Sequence, residues 1–163
     1  MSDPFNFPQQ ELIRHGHLLA DAAERMTRSG QLILGEGVRG FEAAFATWLA
    51  GELNPEQVIG VASGTDALEL ALRGADVAPG DRVLLPAHTA YATVAAVLRV
   101  EAVPVFVDIA PGRSVLCPED LDDQLHQHAP VKAVIAVHLY GEACDLDAIA
   151  ALCDSSFVQT EAS

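Results

Sequence analysis

The sequence predicts an α/β fold, with helices covering a mostly parallel sheet, and two observations carry that prediction. Short β-branched or Leu-rich runs, at Val58–Val61, Arg82–Leu85, Val103–Val107 and Val131–Val137, each lead into a segment containing Gly, Pro or Ser. Their near-continuous apolar character suits strands buried on both faces. Segments with helical spacing of apolar residues alternate with them, which is the pattern that builds a parallel sheet.

Taken in order, residues from about Gln9 to Met26 place Leu12, Leu19 and Met26 on one face of a helix, and Ser29-Gly30 stops it. Phe41, Ala44, Phe45, Trp48 and Leu49 fall at i, i+3, i+4, i+7 and i+8 of a second helix, closed by Gly51 and Pro55. The Val58–Val61 strand runs into a small-residue turn at Ala62-Ser63-Gly64 that starts a third helix. Further on, Pro118 suits a first helical position, with Glu119 and Asp120 at the positive end, His126 and His128 at the negative end, and Leu121 and Leu125 as the buried stripe. A last helix begins near Asp145 with Leu146, Ile149, Ala150 and Cys153 at helical spacing, and the pattern stops after Cys153.

Composition narrows the function. The 163 residues are 50% hydrophobic and 20% charged, which excludes disorder and collagen-like structure and fits about one domain's worth of chain. Nine Lys plus Arg against 23 Asp plus Glu give a net charge of −14, which repels phosphate backbones and anionic bilayers. No nucleic-acid or membrane role is expected. The N-terminus lacks a basic region followed by an apolar one, and no apolar run reaches the ~18 residues of a membrane helix, so the chain reads as cytoplasmic. Cys117, Cys144 and Cys153 form no CxxC pair and fit reduced thiols packing as small hydrophobes.

Three features are candidates for chemistry. Gly35-Glu-Gly-Val-Arg-Gly40 is formally a G-x-G-x-x-G dinucleotide fingerprint, but the apolar run before it, Leu32–Leu34, is short and no acidic residue ends the next strand. A Gly-rich turn opening a helix is the preferred reading. Ser63-Gly64-Thr65 is more informative, because free backbone N–H groups at a helix start beside two hydroxyls make a site for a phosphate group. Ser63 acting as a simple N-cap is the alternative, and Asp66 either caps the helix or weakens the pull on an anion. The histidines at 15 and 17, and at 126 and 128, are two apart on helices and point to different faces, so no metal site is expected. His88 and His138 follow strands, where ligand-facing residues of open α/β sheets collect.

Read jointly, the segments resemble the DegT/StrS-type sugar aminotransferases, pyridoxal-phosphate enzymes of fold type I. Ser29-Gly-Gln-Leu-Ile-Leu-Gly35 with Val38 and Phe41-Glu42 comes first, then Ser63-Gly-Thr-Asp-Ala-Leu68 and Ala78-Pro-Gly-Asp81. Pro86-Ala-His-Thr-Ala-Tyr-Ala-Thr93, Pro104-Val-Phe-Val-Asp108, and Val137-His-Leu-Tyr-Gly141 with Asp145-Leu-Asp-Ala-Ile149 follow in the family's order. The resemblance covers about residues 10 to 152.

The resemblance implies a partial fold type I large domain over 1–152, followed by a tail, 153–163, outside the family's pattern. It implies pyridoxal 5'-phosphate as cofactor, with Ser63, Gly64 and Thr65 in its phosphate cup. The family's ring-stacking aromatic falls at Ala90, next to Tyr91, and either His88 or no residue takes that role instead. No catalytic residue is assigned. Transamination needs a lysine that bonds the cofactor and a carboxylate on the pyridine nitrogen, and both belong after the Asp145–Ile149 helix. The single lysine here is Lys132, before the His-Leu-Tyr-Gly segment; Phe157-Val158 reads as a vestige of the expected strand, and Asp154 and Glu161 lie outside the motif.

The expected function is therefore that of a truncated, inactive part of an enzyme that aminates keto sugar nucleotides with an amino-acid donor and works as a homodimer. A related sugar dehydratase and a non-catalytic subunit-binding module are the alternatives, with an NAD-dependent oxidoreductase more distant. The resemblance also places Val58–Val61 at the far side of the sheet, separated from the next three strands by later ones. Without those, its backbone groups lack ladder partners, and a marginal, aggregation-prone chain is expected.

Overall fold

A computed structural model describes residues 7–50, 54–156 and 159–162. They belong to two units, one ending at Gly60 and one beginning at Val61.

The first unit holds α1 (Phe7–Ser29) and α2 (Glu36–Ala50). Helix α1 stops where expected: Gly30 takes φ 68° and its N–H donates to the Met26 carbonyl at 3.0 Å, a left-handed closure that glycine makes without Cβ strain. Its apolar stripe is open, with Leu12, Leu19 and Met26 all exposed. Along α2 the rings of Phe41, Phe45 and Trp48 follow one another at 5.5 Å spacings. Ala46 is the one buried hydrophobic side chain among the described residues of this unit.

One strand expectation fails here, and the Gly-rich turn preferred at Gly35–Gly40 has no strand before it. Leu32–Leu34 is exposed irregular chain with Leu34 at φ 53°, so the dinucleotide reading falls. Val58–Val61 is not a strand. A strand requires a ladder partner, the described strands pair only among themselves, and the Gly60 N–H donates to Glu42 Oε1 at 2.8 Å instead.

The second unit is the α/β layer structure. Strands β1 (Arg82–Pro86), β2 (Val103–Val107), β3 (Ala133–Ala136) and β4 (Gln159–Ala162) form a parallel sheet in the order β2-β1-β3-β4. Leu84 stands opposite both Val105 and Val134, which sets the register. Side chains alternate between faces. Leu84, Val105, Val107, Val134 and Ala136 pack with α5 (Pro118–Gln127) and α6 (Leu146–Ser156) through Leu121, Leu125, Ile149 and Cys153. Val83, Leu85, Ala133 and Ile135 pack with α3 (Gly64–Gly74) and α4 (Tyr91–Arg99) through Leu72, Ala96 and Val97.

The observed strands β1 and β2 match the expected runs, and β3 is the central part of Val131–Val137. Helix α4 adds an element that the spacing left unmarked, buried through Thr93, Ala95, Ala96 and Val97. Helix α6 starts after Asp145, whose carboxylate accepts the Ala148 N–H at 3.0 Å. It runs past Cys153 to Ser156, and the backbone then adds β4 beside β3. Phe157 and Val158 lie outside the described residues. Among the described residues no helix is long and apolar enough to cross a membrane.

Candidate functional site

The start of α3 is built by its own sequence. Ser63 is the N-cap, extended at φ −156° and ψ 163°, and its hydroxyl oxygen accepts the Asp66 N–H at 3.2 Å. The Ala67 N–H closes on the Ser63 carbonyl at 3.1 Å. The N–H groups of Gly64 and Thr65, first in the helix, have no acceptor among the described residues. A Cβ placed on Gly64 meets nothing within 4 Å, so space is open at Gly64 itself.

Asp66 completes the turn. The Ser63 hydroxyl donates to Asp66 Oδ2 at 2.9 Å, and Arg99 Nη1, from the last turn of α4, donates to Asp66 Oδ1 at 2.9 Å. Arg99 Nη1 also lies 3.6 Å from Glu69 Oε2, and Arg73 holds the other Glu69 oxygen at 2.9 Å. Nothing in the sequence marks the Asp66–Arg99 pair, which spans 33 positions.

Beside Gly64 a cavity of about 490 Å³ opens between α3, α4 and the carboxyl end of β3. Leu68, Ala90, Thr93 and Val137 line it, and no titratable side chain does. The cavity thus brings Gly64 and Ala90 together, with Ser63 and Thr65 on either side of Gly64 in the chain. Ala90 is the N-cap of α4 and offers only a methyl group; its carbonyl accepts the Thr93 N–H at 3.1 Å, and the Thr89 and Thr93 hydroxyls bond at 2.9 Å. Tyr91 opens α4 with its side chain 83% exposed, away from the cavity lining. His88 is also outside the lining, and its ring stands 5.8 Å from that of Tyr140. Tyr140 sits in left-handed backbone, φ 56° and ψ 25°, in the loop after β3.

That loop is fastened twice. His138 Nδ1 accepts the Cys144 N–H at 3.0 Å, and the Cys144 thiol donates to the Val137 carbonyl at 3.2 Å. Glu142 Oε2 accepts the Ser114 N–H at 2.8 Å while Arg113 Nε donates to Glu142 Oε1, tying the loop after β2 to the loop after β3. The Ser114 N–H first, and the Arg113 guanidinium second, hold the Glu142 carboxyl below its ordinary value. Lys132 lies at the other end of the sheet: it precedes β3, and its N–H donates to the Arg82 carbonyl at the start of β1 at 2.9 Å.

The donor set at α3 suits a phosphate, since two unengaged N–H groups at the positive end of a helix and the neighbouring Thr65 hydroxyl are what an oxyanion needs. Neither a lysine nor a motif carboxylate stands on the cavity.

Residues 15–159 match the DegT/DnrJ/EryC1/StrS aminotransferase family. The dTDP-3-amino-3,4,6-trideoxy-alpha-D-glucose transaminase of Streptomyces venezuelae is 38% identical over 133 residues, 82% of this chain and 34% of its own length. A DegT DnrJ EryC1 StrS aminotransferase from Brucella abortus superposes with a TM-score of 0.80 at 30% identity, over 94% of this chain and 41% of its own. NtdA from Bacillus subtilis, solved with bound cofactor PMP, has a TM-score of 0.77 at 29% identity, over 88% of this chain and 32% of its own. The chain spans about a third of the length of the curated relatives it matches. Its α/β layers correspond to part of the aminotransferase fold in those solved relatives, and the chain belongs to the DegT/DnrJ/EryC1/StrS aminotransferase family.

Proposed function

We propose that this chain is the cofactor-phosphate-holding part of a pyridoxal-phosphate-dependent aminotransferase acting on keto sugar nucleotides, with residues 1–152 as the N-terminal part of the large domain. The observation that carries this reading is the start of α3, where the N–H groups of Gly64 and Thr65 are unengaged and space is open at Gly64. Family membership and the sugar-nucleotide transaminase among its relatives support the substrate class.

When bound, pyridoxal phosphate supplies the electron sink for amino-group transfer. Gly64 and Thr65 would hold its phosphate through their N–H groups, and the Thr65 hydroxyl would add a donor, the Ser63 hydroxyl being engaged with Asp66. Ala90, Thr93 and Val137 would give the bound group an apolar wall that excludes water. Ala90 has no ring to stack, and of the alternatives weighed, His88 and Tyr91 lie off the cavity lining, so in this reading the ring contact is left to the methyl group.

The chain alone does not transfer amino groups. Its one lysine, Lys132, lies at the amino end of β3, whereas the cavity opens at the carboxyl end. In the complete enzyme, an amino-acid donor such as glutamate, a homodimeric assembly and a cytoplasmic location complete the reading.

Titration with pyridoxine 5'-phosphate, which has no aldehyde to react with amines, tests the phosphate site. Binding is expected in the wild type and is lost in Thr65→Trp. Unchanged binding in that variant places the phosphate elsewhere. A borohydride-reducible cofactor adduct at Lys132 that supports turnover would overturn the assignment of inactivity.

A further inference from the structure

We infer that Arg99 is a positioning residue for the phosphate site, cancelling the charge that Asp66 places in the same helical turn. The inference rests on the phosphate reading above. Asp66 occupies the first turn of α3, where a carboxylate interacts well with the helix dipole and therefore competes with any second anion. It also accepts the Ser63 hydroxyl proton at 2.9 Å, engaging one of the donors a phosphate would use. Uncompensated, this carboxylate repels a phosphate arriving at the Gly64 and Thr65 N–H groups.

Arg99 answers that repulsion from outside the turn. Its Nη1 holds Asp66 Oδ1 at 2.9 Å, so the oxygen facing away from Ser63 carries the guanidinium and the ion pair has no net charge. Glu69, 3.6 Å from the same Nη1, does not claim Arg99 for itself, because Arg73 already holds its other oxygen at 2.9 Å. The two acids on this face of α3 are thus each matched by one arginine, and the incoming phosphate meets the helix dipole with the local charge balanced. Arg99 touches neither the free N–H groups nor the cavity, and acts through Asp66.

A four-member cycle read by titration with pyridoxine 5'-phosphate tests this. Arg99→Gln is expected to bind roughly fivefold more weakly than wild type, the size fitting a half-exposed ion pair. Asp66→Asn, which removes the repelling charge, is expected to bind at least as tightly as wild type. The Arg99→Gln/Asp66→Asn double variant is expected to return to wild-type affinity, and Arg99→Lys to retain most of it. Rescue by the double variant separates charge cancellation from a merely structural role, since a lost α3–α4 tie stays lost when Asp66 is also changed. If Arg99→Gln does not fold, Asp66→Asn still decides: weaker binding than wild type overturns the inference. Equal affinity across all four proteins, or a double variant as weak as Arg99→Gln, overturns it as well. Absence of binding by the wild type removes the phosphate reading itself, and the inference with it.

Discussion

The Gly60 backbone N–H donates to the Glu42 carboxylate at 2.8 Å, across 18 positions of chain. This bond gives the would-be strand at Val58–Val61 a side-chain partner where a sheet would have supplied a carbonyl. It also brings the segment so close to α2 that a Cβ on Gly60 would lie 2.9 Å from Val38 Cγ1.

Removing the acceptor exposes the role of that bond. Glu42→Ala is expected to speed hydrogen exchange at the Gly60 amide, with a loss of about 1 kcal/mol, the usual value of one part-buried hydrogen bond. Ile59 and Val61, exposed and outside any ladder, are expected to exchange fast already in the wild type. Protection at Val61 comparable to that of β1 would refute this account of the segment.

A side chain at Gly60 tests the close approach. Gly60→Ala is expected to lower the unfolding midpoint, because Val38 or the backbone must shift to admit the methyl group. The Gly60→Ala/Val38→Ala pair is expected to sit closer to wild type than the sum of its two members, with coupling on the order of 0.5–1 kcal/mol. Strict additivity in urea melts would place the strain elsewhere.

The Glu142 clasp predicts a pH dependence. Its folded-state pKa lies below the unfolded value of 4.5, so its contribution is present above that value and is lost as pH falls through the folded pKa. Glu142→Gln is therefore expected to flatten the acid limb of the stability curve, the difference between the two proteins fading as pH falls through the folded pKa and Glu142 becomes neutral. Parallel acid limbs for the two proteins would show that the clasp contributes nothing.

The core makes a contrast between the two units. Leu121 is fully buried between the sheet and α6, and Leu121→Ala is expected to cost about 2–5 kcal/mol. Leu19, 57% exposed on α1, is expected to change stability by no more than ~0.5 kcal/mol on the same substitution. Comparable losses in the two denaturation curves would mean that the α1 stripe is covered in solution.

Much of this was legible in the sequence because it is local. Apolar residues at i, i+3 and i+4 along Phe41–Leu49 already define a helix face, and Pro118 with two acids and a Leu pair already defines α5. Arg82–Leu85 and Val103–Val107 are strands buried from both sides, and their runs of apolar residues say so without knowledge of their neighbours. The helix start at Ser63-Gly64-Thr65 was legible for the same reason, since an N-cap and its unengaged N–H groups are set by adjacent residues. Helix α4 was missed because its small residues, Ala92, Ala95 and Ala96, make a weak stripe that only burial reveals.

By itself, then, the sequence determined the α/β class, the stop of α1 at Gly30, the starts of α3, α5 and α6, and the motifs that assign the family. Only the tertiary structure decided whether an apolar run becomes a strand, because a strand exists by its ladder, and Val58–Val61 finds Glu42 where β3 finds β1 and β4. It also decided that Ala90 meets Gly64 across the cavity, that Tyr91 and His88 stand off it, and that Asp66 is matched by Arg99. Those outcomes depend on residues tens of positions apart, whose proximity is set by the packing of α3 and α4 on the sheet, and no spacing along the chain encodes it.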